Sequence, residues 1–131
     1  MMQHPSELQE HILTLSTWLT AQEVLSNAGY RGNHPVLLPY IWMANGRIFS
    51  LSVNGCDLFP AYALGLDGRP LPIMKPILRG FSGNRHALSI AYWFASANSW
   101  LGGVAPMDML LSDKYAVLYA ARMEVAPIEH G

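Results

Sequence analysis

Five histidines, one cysteine and nine acidic side chains are the groups of this chain that could hold a metal, attack a carbonyl or move a proton. Their spacing supports none of these. His4, His11, His34, His86 and His130 never stand four residues from one another, so no two share a helical face as metal ligands. Cys56 alone makes neither a disulfide nor a cysteine-rich metal site. Asp57, Asp67, Asp108 and Asp113 fall in or beside turns and helix starts, where aspartate serves the backbone. No nucleophile-elbow, Walker or dinucleotide-binding glycine pattern occurs. The expectation is a non-enzyme with no catalytic residue, cofactor or metal.

The aromatic residues are more informative. Trp93 and Phe94 fall within an apolar run and read as core, but Trp100 stands in a loop, after Asn98 and before Leu101-Gly102-Gly103. A loop tryptophan either pins the loop to the core or is presented to a partner. A helix-turn-helix outline also exists near the N-terminus: a capped helix from Thr20, a turn at Gly29, and a segment ending at Gly46-Arg47. The segment that would read DNA offers Val36, Leu37, Leu38, Tyr40, Ile41 and Trp42, with Pro39 among them. Only Arg31, His34, Asn45 and Arg47 suit bases or phosphates, and they lie at its margins. DNA-binding regulation is thus a weaker alternative to protein binding.

Composition points the same way. At 131 residues the chain is about one domain long. It is 51% hydrophobic and only 13% charged, with a formal charge of −1, which suits a folded protein with a covered surface and gives no footprint for nucleic acid. Seven methionines suit an adaptable interface, or equally a small helical core. A single cysteine fits a reducing compartment, and neither a signal peptide nor a membrane span is visible, so a cytoplasmic location is expected.

The expected fold is mainly α with one small β-hairpin. Residues 6–19 carry a helical stripe of Leu8, Ile12, Leu15 and Leu19, with Ser6 as cap. Thr20 with Glu23 makes a capping box for a helix over 21–27, stopped by Gly29. Residues 30–45 suggest one irregular helix broken or kinked at Pro39. Alternation over 49–53, then Asn54-Gly55 and a returning strand over 56–62, is the hairpin, with Pro60 restricting that strand to an edge. Asp67-Gly68 marks a turn, and helices are expected over 73–79, 84–97, 106–111 and 113–124, the last capped by Ser112. The tail 125–131 has no apolar stripe.

One stretch resembles a known family. Trp93-Phe94, Asn98, Leu101-Gly102-Gly103, Pro106, Asp108 and Leu110 resemble, in order and spacing, the C-terminal toxin-binding domain of the Xre/MbcA/ParS antitoxins. Residues 46–51, 59–62 and 67–72 resemble the segment that joins it to the family's N-terminal helix-turn-helix. The resemblance covers about residues 46–124. It implies a bacterial antitoxin that neutralises a RES-domain, NAD-consuming or ADP-ribosylating toxin by docking its C-terminal domain, with a homodimer as a further possibility. It implies a division into residues 1–45 (degenerate helix-turn-helix-like helices), 46–72 (hairpin and connector) and 73–131 (toxin-binding helices packed with the N-terminal ones). It also implies partner contacts at Asn98, Trp100, Leu101, Gly102, Gly103, Pro106, Asp108, Glu124, Glu129 and His130.

Overall fold

The computed structural model describes residues 7–31, 36–81 and 85–126. It has the expected mainly α fold, with a small sheet. Helix α1 (Glu7–Leu15) is followed by strand β1 (Trp18–Thr20), helices α2 (Ala21–Asn27) and α3 (Leu38–Ala44), and the hairpin β2 (Leu51–Val53) and β3 (Cys56–Pro60). Helices α4 (Met74–Phe81), α5 (Ala87–Ala95) and α6 (Lys114–Val125) complete it, with short 3-10 turns at Ala61–Ala63, Ser99–Leu101 and Pro106–Asp108. Among the described residues no helix is long and apolar enough to cross a membrane.

Local chemistry accounts for several of these elements. Thr20 Oγ1 accepts from the Glu23 N–H at 3.2 Å and the Glu23 carboxylate accepts from the Thr20 N–H at 2.8 Å, so the capping box at α2 is closed in both directions. Asn54 and Gly55 both have positive φ, which gives the tight turn whose twist matches the hairpin strands. On α4 the residues Met74, Ile77, Leu78 and Phe81 are buried at helical spacing, while Lys75 and Arg79 face out.

Other elements depart from the sequence reading. Residues 18 and 19 are not the end of the first helix; with Thr20 they form a strand, paired with β3 as Trp18 with Pro60 and Thr20 with Leu58. The sheet therefore has three strands in the order β1-β3-β2, and β3 is its centre rather than an edge. Pro60 is tolerated there because the β2 ladder stops at Leu51–Leu58, before the missing N–H would be needed. Pro39 starts α3 instead of breaking it, since a proline in the first turn removes an N–H that has no intrahelical partner. Helix α5 is shorter than expected, with His86 at its N-cap, and Asp113 rather than Ser112 caps α6, its carboxylate accepting from the Ala116 N–H at 3.1 Å. Of residues 106–111 only Pro106–Asp108 are helical, as a 3-10 turn, and Val125 belongs to α6 and packs against the core instead of opening the tail.

One aromatic cluster lies at the centre. Trp18 meets Phe49 and Tyr62 edge-on with centroids 6.1 Å apart, and Phe49 stacks on Phe94 at 5.9 Å. Trp93 continues the chain of contacts from Phe94 to Phe81 of α4 at 5.2 Å. These rings join β1, the hairpin, α4 and α5 in a single core. The cluster is not fully satisfied: Trp18 Nε1, Trp93 Nε1 and the Tyr62 hydroxyl are enclosed without a hydrogen-bond partner among the described residues. Burial alone pushes the Tyr62 pKa well above the ordinary tyrosine value.

The connector after the hairpin is fixed to the N-terminal helices. Gly68 (φ +77) closes a turn by donating to the Gly65 carbonyl, and a Cβ there would lie 2.5 Å from the Asn27 carbonyl oxygen at the end of α2. Arg69 beside it reaches the Tyr30 hydroxyl at 3.4 Å.

Two predictions follow from this packing. Gly68→Ala combines a left-handed backbone with a backbone clash, and a loss of about 2–4 kcal/mol is expected in denaturant unfolding. Tyr62→Phe removes an unpartnered hydroxyl and should be neutral or stabilising by up to about 1 kcal/mol. Because the folded pKa of Tyr62 is raised, its contribution is intact below the ordinary tyrosine value of 10.0 and is lost as pH rises beyond it. Stability of the parent protein should therefore fall more steeply above pH 10.0 than that of Tyr62→Phe; equal slopes would show that the hydroxyl is solvated.

Candidate partner-binding surface

The loop after α5 is built by three local devices. The buried Asn98 side chain (9% exposed) accepts from the Trp100 N–H at 2.9 Å, and the Asn98 carbonyl accepts from Leu101 at 3.0 Å and Gly103 at 2.8 Å. Gly102 (φ +65) and Gly103 (φ +90) then turn the chain through left-handed backbone that side chains rarely adopt. An added Cβ at either would meet nothing within 4 Å, so conformation and not space demands glycine there. Leu101 and Pro106 are buried and hold the loop down, one on each side of the exposed Val104.

Trp100 is packed on one side and open to solvent on the other. Its ring packs edge-on against Tyr119 of α6 with centroids 5.6 Å apart, yet it remains 53% exposed. It also borders a groove of about 540 Å³ that runs along the outer side of α5. Leu8 of α1 and Tyr92 of α5 are exposed apolar members of the groove, Asn98 sits at the loop end, and Ser89 and Ser96 supply hydroxyls. At the other end Arg85 donates to the Glu124 carboxylate at 2.8 Å, so that charge pair is internally matched.

Of the residues singled out from the sequence, Asn98, Trp100 and Glu124 line this one groove. Leu101 and Pro106 are buried and do not line it, and Gly102 and Gly103 are exposed in the loop. Asp108 is exposed in its 3-10 turn and does not line the groove. Glu129, His130 and His34 lie outside the described residues. The residues considered for DNA are elsewhere: Arg31 is exposed after α2, Asn45 is the C-cap of α3, and Arg47 stacks over Trp42 at 5.9 Å. Leu37, at the N-cap of α3, and Ile41 on its outward face are exposed and offer a base edge or phosphate no hydrogen bond. Among the described residues no cluster of three potential metal ligands occurs.

Sequence reasoning missed Leu8, Arg85, Tyr92 and Tyr119. A signal for Tyr119 existed: Tyr115 and Tyr119 are one helical turn apart, opposite the buried Val117, Ala120 and Ala121. Leu8 and Arg85 had none, because only the packing of α1 against α5 and the pairing of Arg85 with Glu124 of α6 bring them to the groove.

No protein-family model, curated protein or solved structure matches this chain.

The loop geometry predicts different costs for its two key side chains. Asn98→Ala removes a buried acceptor and should lower stability by about 1–2 kcal/mol. Trp100→Ala uncovers about half of a large ring and should cost more, roughly 2–3 kcal/mol at about 25 cal/mol per Å². Chemical denaturation of both variants checks the order, and a loss smaller than that of Asn98→Ala would show that the ring adds little to the loop's own packing.

Proposed function

We propose that this chain is an antitoxin-like interaction protein that neutralises a RES-type toxin through its C-terminal third, with no catalytic chemistry of its own. The observation that carries the reading is Trp100: a large ring left half exposed while its backbone is fixed by Asn98 and its edge by Tyr119. A pre-ordered aromatic beside an apolar groove binds with little ordering cost, and tryptophan and tyrosine dominate interface energetics. The resemblance of residues 93–110 to the toxin-docking loop of the Xre/MbcA/ParS antitoxins supplies the kind of partner. In this reading Asn98, Leu101, Gly102, Gly103 and Pro106 shape the loop, Trp100 makes the contact, and Glu124, Glu129 and His130 act at the C-terminal end.

The test is co-expression of a cognate RES-domain toxin with the full chain, the Trp100→Ala variant and a chain ending at residue 126. The cut is placed after Val125 because that side chain packs on the core. Full-length protein should restore growth and co-purify with the toxin. Trp100→Ala should weaken the complex roughly tenfold or more, as expected for a hot-spot aromatic. Loss of residues 127–131 should weaken neutralisation with the melting temperature unchanged. Failure of any RES-domain toxin to co-purify with the full chain rules the antitoxin reading out.

A further inference from the structure

We infer that the outward face of α6, with Trp100 at its margin, docks an acidic segment of a partner protein. The inference rests on the partner-binding reading above and adds the chemistry of what is bound. Helix α6 buries Val117, Ala120 and Ala121. The opposite face carries Tyr115, Tyr119 and Arg122 at spacings of four and three residues, all exposed. Trp100 packs against Tyr119, and the Lys114 ammonium lies 5.4 Å from the Tyr115 ring centre. One surface therefore joins three exposed aromatic rings with two cations.

Tryptophan, tyrosine and arginine are the residues enriched where interfaces bind most strongly. Two tyrosines one turn apart and more than half exposed are also what a merely solvent-facing helix has least reason to carry. Neither Lys114 nor Arg122 has a carboxylate partner among the described residues. The acids nearest in sequence are committed elsewhere: Asp113 accepts from the Ala116 N–H as the helix cap, and Glu124 pairs with Arg85. The face is thus locally cationic in a chain of net charge −1, and the complementary surface is anionic. Apolar rings between the cations favour a polypeptide that alternates carboxylates with apolar side chains. Single-stranded RNA, which also seeks cations and stacking rings, is disfavoured because Trp100 and Tyr119 are turned edge to face at 78° instead of standing as parallel platforms.

The experiment follows the Trp100 indole N–H resonance of the full chain, assigned with Trp100→Phe. It is titrated with a short synthetic peptide of alternating glutamate and leucine, its glutamine-for-glutamate counterpart, and oligouridylate. The acidic peptide is expected to bind roughly tenfold tighter than its glutamine counterpart at low salt, an advantage lost near 1 M salt, where the Debye length falls to about 3 Å. Lys114→Glu combined with Arg122→Glu should abolish the preference, while Lys114→Arg combined with Arg122→Lys should keep it. Glutamate at the first position of α6 suits the helix dipole, and an unchanged melting curve verifies the fold of the reversed protein. Equal binding of the two peptides, tighter binding of oligouridylate, or no response overturns the inference. A toxin that co-purifies equally with parent and charge-reversed protein defeats the acidic-docking inference and leaves the antitoxin reading standing. An acid-selective response with no toxin captured does the opposite.

Discussion

The packing of Phe94 against the Phe49–Tyr62 pair is the contact on which the molecule depends. Phe94 is fully enclosed and lies 5.9 Å from Phe49 and 5.2 Å from Tyr62, so α5 is seated on the segments that flank the hairpin. Its neighbour Trp93 reaches the other way, to Phe81 of α4, and α4 in turn packs against α6. Helix α5 is consequently held from two sides by rings only one residue apart. The position of the Asn98 loop follows, because it starts within one turn of the end of that helix. Ring contacts of this kind contribute about 0.5–1.5 kcal/mol each beyond the area they bury. The enclosed nitrogens of Trp18 and Trp93 and the Tyr62 hydroxyl oppose this, since each is desolvated without a partner.

The same arrangement separates two kinds of tyrosine. Tyr62 lends its ring to the core, whereas Tyr92, Tyr115 and Tyr119 keep theirs in water. Tyr40 stands between, packed edge-on against Phe59 with its hydroxyl donated to Asp57 at 2.8 Å, a bond that raises its pKa. That bond ties α3 to the hairpin, and Arg47, just past the end of α3, lies over the Trp42 ring of the same helix. The exposed aromatic surface therefore sits on the α5–α6 side of the molecule, where the loop is also most firmly fixed.

What the sequence made legible was local. The Thr20–Glu23 capping box, the Asn54-Gly55 hairpin and the turn forced by Gly102 and Gly103 all depend on residues within a few positions of one another, and each stands where expected. Strand β1 was hidden because Leu19 continues the helical stripe of Leu8, Ile12 and Leu15, and only pairing with the distant Leu58–Pro60 segment makes residues 18–20 extended. Pro60 misled for the same reason: its cost depends on how far the neighbouring ladder runs, which no local rule supplies. The loop of the candidate surface could be read from Asn98, Trp100 and the glycines, but not the groove beside it, whose walls come from α1, α5 and α6. Ser112 and Asp113 illustrate the limit of cap rules, since adjacent residues both qualify and the register of the buried face decides between them.

The three-stranded sheet carries a consequence for solubility. Its centre, β3, is five residues long, but each edge strand has only three. Strand β1 ends at Thr20, which at once becomes the cap of α2, and β2 ends at the Asn54-Gly55 turn. An unpaired row of N–H and C=O groups is the template on which a second chain can add by strand pairing, and its hazard grows with its length. A chain so rich in apolar residues has reason to avoid that route. By turning each edge strand sharply into another element after three residues, the fold keeps both edges of this sheet short among the described residues.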